Sequence, residues 1–241
     1  MDDESALRRD WQPGALLRGH PHSLRAWIDH ADGYLLAHSL GLIVLGAGLY
    51  GAAMGCWRAP RQAFFVGIKF PLIILLTTVG NSLLNGMLAP LLGLRATFRQ
   101  SFLAILMSFT IAATILGSFS PLILFLVWNT PPMPATSAGS TLTYNLIQLL
   151  HVAIIALAGI MANFRLLQLL RELSGSAMVA RRVLVAWLLG NLFFGSQVSW
   201  ILRPFIGSPE LPVQFLRATA FRGNFYETVF HSLLRVLNLS S

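Results

Sequence analysis

The chain has 241 residues, of which 55% are hydrophobic and 11% charged, and its mean hydropathy is +0.67. Soluble domains carry about 25% charged residues, so a water-soluble enzyme is excluded and a polytopic membrane protein is indicated. The formal charge of +8 comes from basic residues set singly between apolar runs. That spacing argues against nucleic acid as a partner and for the lipid bilayer, with anionic headgroups beside the arginines.

Residues 1–33 read as a hydrophilic tail, predicted to be cytoplasmic. Asp2, Asp3, Glu4 and Asp10 with no apolar core do not make a cleavable signal peptide, so the first span is expected to serve as an uncleaved signal. Leu24, Trp27 and Ile28 beside Arg25, His30 and Asp32 suit a short amphipathic helix lying on the headgroups. His20, His22, Asp29, His30 and Asp32 could gather a metal ion, but their spacing is irregular. Neither a metal nor a cofactor is expected.

A span needs about 20 mainly apolar residues, and five stretches qualify: about 34–57, 71–92, 101–128, 141–164 and 183–206. In the first, Ala47, Gly51 and Gly55 form a small-xxx-small ridge, which lets another span or a second copy approach closely. Cys56, the single cysteine, allows no internal disulfide and no thiolate cluster. The second span is expected to begin at Pro71, after Lys69, because proline suits a first helical turn. Lys69 is the one lysine among 17 basic residues. The arginine excess reflects either a GC-rich, bacterial genome or a choice of bidentate phosphate contacts. Dividing the third span at Gly117 to Pro121 would leave pieces too short to cross.

Loop charges set the orientation. The loop between the third and fourth spans, 129–140, carries no charge, whereas its neighbours hold Arg95 and Arg99 on one side and Arg165, Arg171, Arg181 and Arg182 on the other. This puts 129–140 outside and the N-terminus inside, in a membrane expected to be the bacterial cytoplasmic one. After the last span, residues 207–241 form an amphipathic segment. Asn224 and Glu227 are a potential capping pair, followed by Phe225, Val229, Leu233 and Leu237 at helical spacing. That helix either lies on the membrane or docks on the bundle.

None of the nine acidic residues falls inside a span, which removes the usual working part of an ion-coupled carrier. Uncharged polar residues instead form stripes on single helix faces: Thr77, Asn81 and Asn85; Thr110, Thr114 and Ser118; Tyr144, Gln148 and His151; Asn191, Gly195, Ser199 and Arg203. The candidate intramembrane cluster is Asn81, Asn85, Gln148, His151 and Asn191. It is read either as a polar route or as interhelical hydrogen bonding, worth roughly 0.6 to 2 kcal/mol per bond. His151 is a satisfied imidazole, or else a proton relay or metal ligand. Arg203, before Pro204, can snorkel to the interface and contact a lipid phosphate bidentately. No catalytic residue is assigned, since neither HExxH nor a paired-carboxylate motif is present.

The five spans, the hydrophilic tail and the string Lys69-Phe70-Pro71, together with Leu202-Arg203-Pro204-Phe205-Ile206-Gly207 and Phe221-Arg222-Gly223-Asn224-Phe225-Tyr226-Glu227, resemble the bacterial branch of the Yip1-type membrane proteins. The resemblance implies a five-helix bundle without catalytic residues. The tail motifs tied to GTPase binding in eukaryotic relatives have no counterpart here. The expected protein is therefore an all-α, polytopic transmembrane bundle with amphipathic N- and C-terminal helices. Its expected role is a non-enzymatic scaffold, assembly factor or subunit of a complex, with a protein partner or a second copy. A transporter or channel component is the alternative, and a lipid-directed membrane enzyme the third.

Overall fold

A computed structural model describes residues 17, 24, 27–29, 31–131, 141–207 and 212–227. Five long helices account for most of them: α1 (Gly33–Cys56), α2 (Pro60–Leu91), α3 (Phe98–Trp128), α4 (Thr141–Ser174) and α5 (Ala177–Leu202). The shortest has 24 residues. At about 1.5 Å per residue even that one exceeds the roughly 30 Å of hydrocarbon a span must cross. All five are apolar enough to do so, and the protein is an integral membrane protein of the all-helical class.

Local chemistry sets the helix ends. Asp32 Oδ1 accepts a hydrogen bond from Leu35 N at 2.7 Å and caps α1. Thr97 and Gln100 exchange side-chain and backbone bonds in a capping box ahead of α3. Ser176 caps α5 after Gly175, whose φ of +64° closes the α4–α5 turn in a conformation that favours glycine. Pro60 takes the first-turn position of α2.

That last feature corrects the expected start of the second span. Pro71 lies inside α2, and Lys69 is a helical residue with no exposed surface. An interior proline is tolerated in a membrane helix because neighbouring elements re-satisfy the backbone. The fourth and fifth spans are likewise longer than, or shifted from, the expected ones. α4 carries Arg165, Arg171 and, against the expectation that every acid lies outside the spanning helices, Glu172 in its last turn, and α5 starts early enough to include Arg181 and Arg182. Arginines near a helix end reach polar surroundings along their own stems, so charge interrupts the hydropathy pattern without interrupting the helix.

α2, α3, α4 and α5 form a ring in which each packs on the next, and α1 fills the groove between α2 and α3. The tightest approaches are made by glycine. A Cβ at Gly51 would stand 2.5 Å from Val66 O and 2.8 Å from Phe70 Cβ, and one at Gly55 would stand 2.7 Å from both Ala63 Cα and Gln62 O. The Gly51 and Gly55 positions of the small-residue ridge thus pack on α2 of the same chain, and Ala47 is fully buried in the same bundle. On the other face of α1, Gly46 meets the backbone at Ala113 and Gly117 of α3.

The tail also departs from expectation. Leu24, Trp27 and Ile28 are at most 1% exposed and belong to a core cluster with Leu103, Met107, Leu166, Leu169 and Trp187. Trp27 Nε1 donates to Leu103 O at 3.2 Å, Arg99 donates to Ala31 O at 2.5 Å, and Arg165 donates to Leu17 O at 2.6 Å. These tail side chains dock in the bundle instead of resting on headgroups, because a tryptophan N–H and three large apolar groups find a complete set of contacts there. At the other end, Glu227 N donates to Asn224 Oδ1 at 2.7 Å. The first turn behind it touches α5, with Tyr226 stacked on Phe193 and bonded to Phe193 O at 2.8 Å. Val229, Leu233 and Leu237 lie outside the described residues, as do His20, His22 and His30 of the tail.

The glycine contacts generate a test. Gly51→Ala overpacks the α1–α2 seam and should destabilise the detergent-solubilised protein by about 1–3 kcal/mol. Gly159→Ala, with nothing within 4 Å of the added carbon, should stay within about 0.5 kcal/mol. Thermal unfolding followed by circular dichroism distinguishes the two.

Candidate functional site: polar groups, two cavities and a basic end

The structure divides the expected intramembrane cluster in two. Asn81 of α2 donates from Nδ2 to Asn191 Oδ1 of α5, and Asn85 donates to Asn81 Oδ1 at 2.6 Å. The three asparagines form one hydrogen-bonded chain that ties α2 to α5. Gly190 makes room for it, since a Cβ there would collide with Asn81 Oδ1. Beside the chain, Asn85 Oδ1 and Thr77 Oγ1 are buried with no hydrogen-bond partner among the described residues.

His151 and Gln148 stand elsewhere. His151 is 3% exposed and its Nδ1 lies 2.9 Å from the Tyr50 hydroxyl, with the two rings edge to face at 5.6 Å. The pair joins α1 to α4. Two turns toward the nearer helix ends, Trp57 and Tyr144 pair at 6.1 Å, as aromatic residues do at the membrane interface. Gln148 and His151 both line a cavity of about 420 Å³ inside the ring, walled by Phe70, Ile74, Leu116 and Ser199 and roofed by Phe205 and Ile206.

The stripe on α3 has a different use. Thr110 donates to Leu106 O at 2.8 Å, Thr114 to Thr110 O at 2.8 Å and Ser118 to Ile115 O at 2.7 Å. These hydroxyls are spent on their own helix backbone, so they neither line a route nor join helices. The α5 stripe does line something: Asn191, Gly195, Ser199 and Arg203, with Ser196 and Trp200, wall a second cavity of about 710 Å³ against Val152 and Ile155 of α4. The two cavities share Val152, Ile155 and Ser199.

Beyond Leu202 the chain leaves the helix and folds back over the end of the bundle. Lys69 Nζ donates to Pro204 O at 3.0 Å, and Gln62 Nε2 donates to Pro204 O at 3.2 Å and Phe205 O at 2.6 Å. Tyr144 donates to Gly207 O at 3.2 Å. The Lys69 ammonium also sits 5.2 Å from the Phe215 ring. Arg203 lays its guanidinium 3.4 Å over Trp200 and donates to Trp200 O at 2.7 Å. The Arg217 guanidinium is close enough to repel both Lys69 and Arg203. Lys69, Arg203 and Arg217 thus gather at one end of the bundle, and among the described residues no carboxylate lines either cavity.

Lys69, Gln62, Tyr50 and Trp27 make contacts that sequence reading misses. Lys69 has a legible signal: Pro60 is as good a helix start as Pro71, and Ala63–Phe70 between them is apolar apart from the lysine itself. The others have none, because their partners are more than 70 positions away. No protein family, curated protein or solved structure matches this chain.

The asparagine chain predicts a non-additive double-mutant cycle. Asn81→Leu strands its partners and should cost about 1–3 kcal/mol. The pair Asn81→Leu and Asn191→Leu together should cost less than the sum of the two single changes, since removing both partners leaves fewer unpaired groups in hydrocarbon. Equilibrium unfolding in detergent measures the coupling.

Proposed function

We propose that this protein is a non-enzymatic component of a bacterial cytoplasmic membrane, with its N-terminus inside, acting as a scaffold, assembly factor or subunit of a membrane complex. The observation that carries the reading is how the polar side chains are used. The asparagines tie α2 to α5, Tyr50 and His151 tie α1 to α4, and the α3 hydroxyls bond their own backbone. Each of these groups has a partner inside the protein that accounts for its place in the bundle, as polar side chains that join membrane helices do. The Yip1-type resemblance agrees, since it too implies five spans without catalytic residues.

The outer faces of α4 and α5 suit such a role. Only 22% of the most apolar stretch of each is buried, against 56% for α3, and Leu146, Leu149, Ile160, Leu189 and Leu192 are each more than half exposed. A protein partner or a second copy would find its contact surface here.

A second reading, a transporter or channel component, is favoured by one observation, the cavity of about 420 Å³ against His151 and Gln148. Replacing Gln148 and His151 by leucine and phenylalanine would then abolish a flux or growth phenotype while the fold survives.

The proposal predicts a discrete crosslinked product. A photocrosslinking residue at Leu149 or Leu189 in intact membranes should capture one stoichiometric partner or a second copy, and mild-detergent purification should retain it. A clean monomer in both native lipid and mild detergent overturns the scaffold reading.

A further inference from the structure

The α4–α5 groove and the basic end of the bundle are continuous with each other through Arg203, which belongs to both. The groove is the most open seam of the ring, since α4 and α5 touch each other least among neighbouring helices. Its walls are Val152, Ile155 and Leu192 with the hydroxyls of Ser196 and Ser199, and Arg203 and Trp200 stand at its interfacial end. The Trp200 indole N–H is buried without an acceptor among the described residues.

Charge decides what such a groove accepts. Of the five N–H donors of Arg203, the structure shows one bonded, to Trp200 O. Lys69 is fully buried with a single backbone acceptor at 3.0 Å, and a buried ammonium held by one neutral carbonyl is costly unless a negative charge stands nearby. Arg217 adds repulsion. A monoanion on Arg203 would meet its unbonded N–H donors at the end of the groove and offset the repulsion from Arg217. A guanidinium whose plane is fixed over an indole presents its remaining edge as a bidentate phosphate fork.

We propose that the α4–α5 groove binds one anionic phospholipid, with its phosphate on Arg203 within the field of Lys69 and Arg217, and an acyl chain running past Ser199 and Ile155 toward Asn191. The phosphate sits where the chain emerges from α5, level with the interfacial Trp57–Tyr144 pair, and the acyl chain occupies the volume that α4 and α5 leave open. The site goes beyond the scaffold reading and does not depend on it. A lipid here would fill the weakest helix seam and hold α5 against α4.

The test uses the purified full chain, delipidated in a neutral detergent. Dioleoylphosphatidylglycerol, added at a few mole per cent, should raise the unfolding temperature saturably. The same amount of dioleoylphosphatidylcholine should raise it distinctly less. Arg203→Gln should weaken the phosphatidylglycerol response about tenfold or more, the effect expected on losing a charge-assisted hydrogen bond. Arg203→Lys should fall between Arg203→Gln and the unaltered chain, because an ammonium lacks the planar fork. Ser199→Leu fills the groove while leaving every cation in place. It should also weaken the response, with helix content unchanged by circular dichroism. Equal protection by both lipids, or an undiminished response in both Arg203→Gln and Ser199→Leu, overturns the proposal. Inorganic phosphate alone giving the full effect would show an anion site with no chain in the groove, and overturns it equally.

Discussion

Inside hydrocarbon there is no water to complete a hydrogen bond, so every polar group that enters the bundle must find its partner in the protein or remain unsatisfied. This constraint governs how the five helices meet. Asn81 reaches Asn191 across the α2–α5 seam, and the glycine at position 190 leaves the space that the Asn81 side-chain oxygen occupies. Tyr50 and His151 solve the same problem between α1 and α4. Along α3, threonine turns back to the carbonyls of its own helix. Two of the buried atoms left without a partner among the described residues, Thr77 Oγ1 and Asn85 Oδ1, lie beside the α2–α5 chain.

The constraint also organises the end of the bundle. After Leu202 the backbone is no longer helical, and its carbonyls need donors. Lys69 and Gln62, one side chain charged and the other neutral, supply them to Pro204 and Phe205. That pinning places Phe205 and Ile206 as the roof of the inner cavity and holds Arg203 at the mouth of the α4–α5 groove. One pair of α2 side chains therefore shapes both cavities. The tail performs a comparable closure at the opposite end, where Trp27 bonds to a carbonyl of α3 and brings Leu24 and Ile28 into the core.

How far the sequence foretold this differs from residue to residue. The Gly51–Gly55 ridge was legible, because small residues spaced four apart have one efficient use in a membrane helix. Its partner was not, since a ridge does not say which surface fills it. Asn81, Asn85 and Asn191 were legible as polar faces, and so was His151, but their division into separate contacts was not. Period 3.6 places residues on a helix face and leaves the rotation of that helix undetermined. Lys69 was misplaced because a hydropathy window penalises a charge wherever it sits, whereas the folded chain accommodates this one beneath a returning loop. Leu24, Trp27 and Ile28 carry an interfacial pattern because amphipathic spacing is the same whether the apolar face meets lipid or protein.

The sequence by itself determined that the chain is an integral membrane protein with five apolar helices, that its carboxylates stay out of the apolar middle of those helices, and that α1 carries a close-packing face. Each of these is a property of one segment and its composition. Only the tertiary structure decided which polar groups meet, that the chain beyond α5 returns over Lys69, and that Arg203, Lys69 and Arg217 share one end of the bundle beside an open groove. Those outcomes depend on the rotation and pairing of helices distant in sequence, which are set by glycine contacts and by the need to satisfy polar groups without water.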